Sequence, residues 1–241
     1  MKHTNKFIYP KSQREIINGK RHYDVKSEKL PSVTTILSAT QSPEKQASLA
    51  AWRERVGDAN ATRIVDDSAN RGTAMHKILE TYIQGQGYLD LTETGLNAHN
   101  MAVHIIQNGL SNVTEYYGLE ATLHYPGLYA GATDLIAVHK GQDAIIDFKQ
   151  TNKPKKREWI EDYCLQLAAY AMAHNFVYKT SITKGVIMMC SKDYFYQEFI
   201  IEGEELKKYK HDFLRRVDQY YKQTKPKEEN NETERPTTSI I

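Results

Sequence analysis

Two strand-like segments separated by Lys140-Gly141 constrain the fold of this chain more than any other feature. Residues 129–139 and 142–149 are rich in β-branched and aromatic side chains, and a two-residue connection containing glycine predicts a β-hairpin. If the loop has two residues, paired positions add up to 281, so that Asp134 lies directly opposite Asp147. A longer loop would make the pair diagonal, because Lys-Gly suits a type I′ turn less well than Asn-Gly does. In both cases the two carboxylates converge.

The charged side chains at the end of this hairpin are hard to explain by folding alone. Side chains alternate along a strand, so Asp147 and Lys149 share one face while Ile146 and Phe148 share the other. Two carboxylates ~5 Å apart repel by about 3 kcal/mol at an effective dielectric constant of ~20. A divalent cation such as Mg²⁺, which prefers oxygen ligands, would turn this repulsion into a binding site. The alternative is that Asp134 caps a turn and the other two residues form an exposed ion pair, because single Asp-X-Lys triplets are common.

Two predicted helices flank the hairpin and carry polar residues next to their apolar stripes. Residues 69–83 repeat apolar side chains at i, i+3, i+4 and i+7, and His76 lies on that stripe. In the helix predicted over 158–175, Gln166 and Tyr170 are one turn apart and share a face. The alternatives are ordinary ones, a core histidine and polar residues that border a core stripe.

Taken in chain order, these features resemble the RecB-type branch of the PD-(D/E)XK nuclease superfamily. The similarity comprises Arg71-Gly72-x-x-x-His76, Glu120, Gly131-x-x-Asp134, Asp147-x-Lys149 and Gln166-x-x-x-Tyr170. An upstream stretch at 31–37 and a following helix with Trp52 and Arg53 narrow the resemblance to mitochondrial genome maintenance exonucleases and their phage and bacterial relatives. The resemblance covers about residues 30–175. It implies a restriction-endonuclease-like α/β fold, with a mixed central sheet flanked by helices and an N-terminal helical extension.

The resemblance also implies a role for each matched residue. The implied metal ligands are His76, Asp134, Asp147 and the backbone carbonyl of Phe148. Lys149 would be the catalytic lysine, because a fixed ammonium near the metal can orient the attacking water and offset charge in the transition state. Glu120 would be a further acid, and Gln166 and Tyr170 would position the site. The implied cofactor is Mg²⁺ or Mn²⁺. Glu80, one turn after His76, is either a residue that orients the imidazole or a solvated helix residue.

Cysteine content distinguishes this chain from some RecB-type nucleases, which hold an iron–sulfur cluster with four cysteines. Only Cys164 and Cys190 are present, which excludes a four-cysteine cluster within one subunit. Both lie in apolar runs and are predicted to be small buried residues. Two cysteines without metal-binding spacing suit a reducing compartment.

A basic segment follows the proposed catalytic strand and predicts contact with DNA. The segment contains Lys153, Lys155, Lys156 and Arg157. The upstream Arg71 is a further predicted DNA contact. Contacts with phosphates supply most sequence-independent affinity for nucleic acids. A basic run is more often a solvated loop, but the position next to Lys149 favours DNA. Sixteen tyrosines offer faces for stacking on bases, a device of single-strand binding.

These observations predict a metal-dependent DNA exonuclease that prefers single strands with free ends. The N-terminal extension could arch over the site and admit only a strand threaded from an end. The alternatives are a structure-specific or site-specific endonuclease on the same fold and a nucleic-acid-binding accessory protein that does not cut.

Length and composition predict one nuclease domain over residues 1–222. It divides into an extension at 1–70, a core at 71–202 and a C-terminal helix at 203–222, followed by a disordered tail over 223–241. No apolar run approaches the ~18 residues of a membrane span, so we expect no membrane partner. The first ten residues have the features of neither a signal peptide nor a transit peptide. The sequence therefore predicts a cytoplasmic protein of a bacterium or a phage-infected cell.

Overall fold

The computed structural model of the protein describes residues 1–224, which form two β-sheets and their surrounding helices. In chain order the strands are β1 (Lys2–His3), β2 (Gln13–Ile17), β3 (Lys20–Val25), β4 (Glu28–Pro31), β5 (Val113–Tyr125), β6 (Tyr129–His139), β7 (Gln142–Thr151), β8 (Lys184–Ser191) and β9 (Tyr196–Glu202). The larger sheet has the order β1-β5-β6-β7-β8-β9, and the smaller sheet has the order β2-β3-β4. The larger sheet is mixed, because β7 and β8 run parallel while β5, β6 and β7 run antiparallel.

The helix predicted over 158–175 lies close to its observed bounds, whereas the helix predicted over 69–83 begins eleven residues earlier, at Asp58. The helices are α1 (Val33–Ala39), α2 (Pro43–Val56), α3 (Asp58–Ile83), α4 (Glu93–Asn108), α5 (Glu161–Tyr178) and α6 (Gly203–Thr224). Ser42 caps α2 as predicted, with its Oγ accepting the backbone N–H of Lys45 at 3.3 Å and proline in the first turn. Helix α5 connects the parallel strands β7 and β8, which need a long crossover.

The predicted hairpin and its register are confirmed. Leu135 pairs with Ile146 and His139 pairs with Gln142, so every pair in this ladder adds up to 281. The loop has two residues, and both have positive φ angles, 50° at Lys140 and 79° at Gly141. This is the type I′ geometry that matches the twist of the flanking strands.

Helices cover both faces of the larger sheet, which confirms the predicted fold class. On one face, sheet residues such as Ile136 and Ile145 pack with α1, α5 and α6. On the other face, their strand neighbours Leu135 and Ile146 pack with α3 and α4. Successive side chains of β6 and β7 point alternately to the two helix-covered faces, which produces a three-layer α/β/α core.

The N-terminal extension departs from the prediction, because it contains the three-stranded sheet as well as helices. Asn18-Gly19 is the turn between β2 and β3, as expected. The sequence pattern at residues 7–9 predicts a short strand, and this prediction is wrong. Phe7 and Tyr9 alternate like strand residues, but they lie in an irregular segment whose rings pack on His174 and Tyr178 of α5.

The boundaries predicted within the chain also differ from the observed elements. Helix α3 runs without a break through residues 70 and 71, where the extension was predicted to end. Helix α6 continues to Thr224, two residues beyond its predicted end at residue 222. The rest of the predicted tail lies outside the described residues.

Candidate active site

The site lies where strands β6 and β7 separate. The hydrogen-bonded ladder ends at the pair Leu135 and Ile146. At the next position the carboxylate of Asp134 accepts the backbone N–H of Phe148, with an Oδ2–N distance of 2.6 Å. Asp134 and Asp147 are both buried. The hairpin therefore brings two predicted site carboxylates together at its open end.

Three elements contribute one possible metal donor each. The nearest donor atoms of His76, Glu120 and Asp134 all lie within 4.8 Å of one another. His76 comes from α3, and its Nδ1 is 3.4 Å from Asp134 Oδ1. Glu120 comes from β5 and lies between the ladder pairs that flank Asp134 on β6. Two carboxylates and one imidazole thus surround one point beside the sheet.

Glu120 has an unusual backbone conformation for a residue inside a strand. Its φ angle is 48°, in the left-handed region that side chains other than glycine seldom adopt. Such strain is of order 1 kcal/mol and persists where surrounding structure enforces it, often at functional sites. No pattern in the sequence indicated this conformation.

Lys149 is held by its neighbours on β7 and α5. Its ammonium contacts Asp147 Oδ2 and donates to Gln166 Oε1 at 3.3 Å. The amide of Gln166 in turn donates to the Tyr170 hydroxyl at 3.4 Å. Asp147 is therefore the counter-ion of Lys149 in this geometry and lies outside the three-donor cluster. Its Oδ2 nevertheless accepts no well-aligned hydrogen bond.

The glycine of the Gly131-x-x-Asp134 motif allows β6 and α5 to approach closely. A Cβ atom at Gly131 would lie 2.7 Å from the hydroxyl oxygen of Tyr170. No side chain larger than hydrogen fits there without displacing that ring. The motif thus places α5 against the strand that carries Asp134.

The charges of the site set the protonation states of its members. Burial alone would lower the pKa of His76, but the Asp134 carboxylate outweighs it and raises the pKa to about 9. Burial likewise opposes ionisation of Asp134, yet the His76 charge keeps that pKa below its usual range. Burial raises the pKa of Asp147 to about 6 despite the neighbouring Lys149. Although Glu120 as a residue is solvent-accessible, burial around its carboxyl group and the nearby Asp134 charge raise its pKa to about 7. A cation bound here would displace the proton of His76.

Arg71 and Glu80 contact protein groups other than the partners considered for them, which were DNA for Arg71 and His76 for Glu80. The Arg71 Nε donates to Gln150 Oε1 at 3.0 Å, and its terminal nitrogen contacts Asn152 Oδ1. These bonds tie α3 to the end of β7, so the guanidinium predicted to contact DNA is already engaged. Glu80 accepts a hydrogen bond from Lys77 at 3.1 Å. This contact favours the interpretation of Glu80 as a solvated helix residue.

The basic segment after β7 divides into engaged and accessible residues. Arg157 donates to both carboxylate oxygens of Glu205 and to the carbonyl of Ile200, so its charge is neutralised by α6. This contact argues against its predicted role in DNA binding. Lys153 and Lys156 are exposed, and the side chain of Lys155 lines a cleft.

That cleft lies between α2 and the basic segment and has a volume of about 820 Å³. It is lined by two tryptophans, three cationic residues and no acidic residue: Gln41, Lys45, Ser48, Leu49, Ala51, Trp52, Arg55, Lys155 and Trp159. Trp159 is 57% exposed and lies under the ammonium of Lys156. Trp159 was not among the predicted site residues, although an aromatic residue two positions after a basic run was a signal for it.

The donor set fits a divalent cation of the Mg²⁺ or Mn²⁺ class. Carboxylate oxygens suit both ions, and the imidazole of His76 favours Mn²⁺ over Mg²⁺. Asp147 Oδ2, which contacts the Lys149 ammonium, is a further buried carboxylate oxygen beside these donors.

Comparison with known proteins identifies the relatives of the chain. No family model matches it. Mouse mitochondrial genome maintenance exonuclease 1 is 31% identical over 194 residues, which cover 73% of this chain and 56% of that protein. The human protein of the same name is 28% identical over 174 residues, which cover 68% of this chain and 50% of that protein. The chain is similar in sequence to these exonucleases. The resemblance predicted from the sequence is thus confirmed, and the chain spans about half the length of the relatives it matches.

Among solved structures, a candidate exonuclease from Eubacterium rectale matches 65% of this chain and 70% of its own, with 9% identity and a TM-score of 0.42. This likeness is weak, so the assignment of the fold rests on the strand order and layers described above.

The predicted cellular location needs correction. The relatives from mouse, human and Xenopus tropicalis all have a mitochondrial exonuclease name. This finding conflicts with a cytoplasmic protein of a bacterium or phage-infected cell. Among the described helices, none is long and apolar enough to span a membrane.

Proposed function

We propose that this protein is a metal-dependent exonuclease that hydrolyses DNA phosphodiester bonds and prefers single strands with a free end. The observation that carries the proposal is the buried Lys149–Asp147 pair beside the cluster of His76, Glu120 and Asp134. Buried charges are expensive, and their concentration at one point is typical of a catalytic site rather than of a stabilising core. The exonuclease names of the relatives point in the same direction.

The chain's own residues would hold the cation and orient the substrate. His76, Glu120 and Asp134 are the ready donors, and the resemblance adds Asp147 and the carbonyl of Phe148. A bound Mg²⁺ or Mn²⁺ supplies a Lewis acid for the phosphate and lowers the pKa of the attacking water. The proposal therefore predicts that removal of divalent cations stops cleavage.

Lys149 would act on the scissile phosphate. An ammonium carries three N–H donors, and contacts with Asp147 and Gln166 account for two of them. The third can donate to a non-bridging phosphate oxygen and stabilise the negative charge that builds there. The bond from Gln166 to Tyr170 keeps the amide oxygen directed at the lysine.

The cleft between α2 and the basic segment supports the preference for single strands. Trp52 and Trp159 offer faces on which unpaired bases can stack, and Lys155 and Arg55 can contact phosphates. Helix α2 has no buried residue, and the Lys45–Asp162 ion pair connects it to α5. A helix attached in this way can cover a single strand but would obstruct a duplex, which is about twice as wide.

The decisive experiment compares end-labelled linear single strands, the same sequence as a closed circle, and the corresponding duplex. Each is incubated with Mg²⁺, with Mn²⁺ or with a chelator. We expect cation-dependent degradation of the linear single strand, slower degradation of the duplex and resistance of the circle. Equal cutting of circles and linear strands would contradict the exonuclease proposal and favour an endonuclease, while binding without cutting would favour an accessory protein.

A further inference from the structure

Tyr163 contacts Lys149 but has no role in the proposed chemistry. The Lys149 ammonium lies over the Tyr163 ring, 5.0 Å from its centroid. The side chain of Lys149 is only 19% exposed, so little water reaches its ammonium. The ring face of Tyr163 is one of the groups that surround this charge. A cation over an aromatic face within ~6 Å is attracted by the ring quadrupole, and more strongly where water is excluded.

The position of Tyr163 on α5 matches those of the two polar residues already placed at the site. Residues 163, 166 and 170 follow the spacing i, i+3 and i+7, so Tyr163, Gln166 and Tyr170 lie along one stripe of the helix. Gln166 accepts a hydrogen bond from the same ammonium, and Tyr170 packs against Gly131. Tyr163 is half-buried and extends this stripe toward the beginning of the helix.

A ring face is a different kind of partner from the other two groups around the ammonium. Asp147 and Gln166 each accept a directed hydrogen bond or ion-pair contact. The π face attracts the charge without accepting a strong hydrogen bond, so one N–H stays available for a phosphate oxygen. A third strong acceptor at this position would instead compete with the substrate.

We propose that Tyr163 is a positioning residue whose ring face holds the Lys149 ammonium in place for the scissile phosphate. The inference rests on the proposed nuclease function. It assigns the effect to the ring and not to the hydroxyl group, so phenylalanine can replace tyrosine at this position whereas an aliphatic side chain cannot.

The test compares Tyr163→Phe, Tyr163→Leu and the control Tyr178→Leu, a substitution on the same helix far from Lys149. Steady-state cleavage of a linear single strand should show kcat reduced about tenfold or more in Tyr163→Leu, with KM within about twofold, and kept within about threefold in Tyr163→Phe. Normal kcat in Tyr163→Leu, or equal losses in both Tyr163 variants, would overturn the proposal. An increase in KM alone would also overturn it and make Tyr163 a DNA contact.

A second measurement tests the placement independently of cleavage. The aromatic ring current should shift the NMR signals of the Lys149 ε-methylene group, assigned by comparison with Lys149→Arg. We expect this shift in the wild type and in Tyr163→Phe and its loss in Tyr163→Leu. If no variant or wild-type protein cleaves DNA but this pattern holds, the nuclease proposal fails while the ring contact stands. Identical Lys149 signals in all three proteins would overturn the contact itself.

Discussion

Asp134 binds the backbone of Phe148 at the open end of the β6–β7 hairpin, with 2.6 Å between Oδ2 and the amide nitrogen. Its other oxygen lies 3.4 Å from His76 Nδ1 on α3. One buried carboxylate of β6 thus contacts both the neighbouring strand β7 and the helix α3. An isosteric substitution can separate the structural role of this side chain from its proposed role as a metal ligand.

Asp134→Asn should remove the response of the protein to divalent cations. A cation that binds only the native state raises Tm, by an amount that grows with its concentration relative to Kd. Asparagine keeps an oxygen that can accept the Phe148 N–H but loses the charge. Thermal unfolding over an Mn²⁺ titration should therefore show an increase in Tm for the wild type and little or none for the variant. Asp143→Asn, on the neighbouring strand β7, is the control that should keep the response. An equal increase in Asp134→Asn would mean that the cation binds elsewhere.

Lys149→Ala should abolish cleavage while binding to single-stranded DNA stays within a few fold of wild type. In the proposed function the lysine acts at the reacting phosphate, and loss of one such donor costs about 100- to 1000-fold in rate. Lys153→Ala, an exposed residue of the following basic segment, should show the opposite pattern, with weaker binding and a smaller dependence on salt. Single-turnover cleavage and fluorescence-anisotropy binding measure the two effects. Near-normal turnover in Lys149→Ala would remove this lysine from the mechanism.

The hairpin shows what local sequence information can predict. Lys140 and Gly141 adopt the positive φ angles of a two-residue turn. This loop length sets the strand register in which Asp134 lies opposite Asp147. Alternation along the strand also predicted that Asp147 and Lys149 share a face, and the structure brings them into contact. These relationships depend on residues close together in the chain, so turn chemistry and periodicity suffice to predict them.

Turn chemistry and periodicity could not predict features that depend on contacts between residues far apart in the sequence. Phe7 and Tyr9 have the pattern of a strand, but packing on His174 of α5 determines their conformation. The left-handed backbone of Glu120, with φ of 48°, has no local signature in the sequence. Arg157 belongs to a basic run, and only the fold reveals that Glu205 neutralises it.

Gly131→Ala should destabilise the protein because its new methyl group collides with Tyr170. The Cβ atom would lie 2.7 Å from the hydroxyl oxygen and 2.9 Å from a ring carbon. Overpacking of this kind costs about 1–3 kcal/mol. Urea unfolding should show this loss for Gly131→Ala and almost none for Gly87→Ala, where nothing lies within 4 Å of the added atom. Tyr170→Phe removes the closest atom and should recover part of the loss in the double variant. Equal stability of Gly131→Ala and wild type would show that the ring moves aside freely.

His174 should make the protein sensitive to acid. It is fully buried, with Nε2 3.1 Å from the Tyr9 hydroxyl and Nδ1 2.7 Å from the Thr180 hydroxyl. Burial lowers its pKa to about 4 from an ordinary value of 6.5. Because the native pKa is the lower one, the unfolded state binds more protons between these values. The contribution of His174 to the free energy of unfolding is therefore fully present above about pH 6.5 and is lost as the pH falls toward 4.

The size of this acid effect follows from the difference between the two pKa values. A shift from 6.5 to about 4 corresponds to about 3 kcal/mol, which is a large part of the stability of a typical domain. His174→Gln carries no titrating group, so its free energy of unfolding should fall less steeply than that of the wild type between pH 6.5 and 4.5. His99→Gln, at an exposed position of α4, is the matched control and should follow the wild-type slope. Urea unfolding at several pH values measures these slopes, and parallel curves for wild type and His174→Gln would show that other groups cause the acid sensitivity.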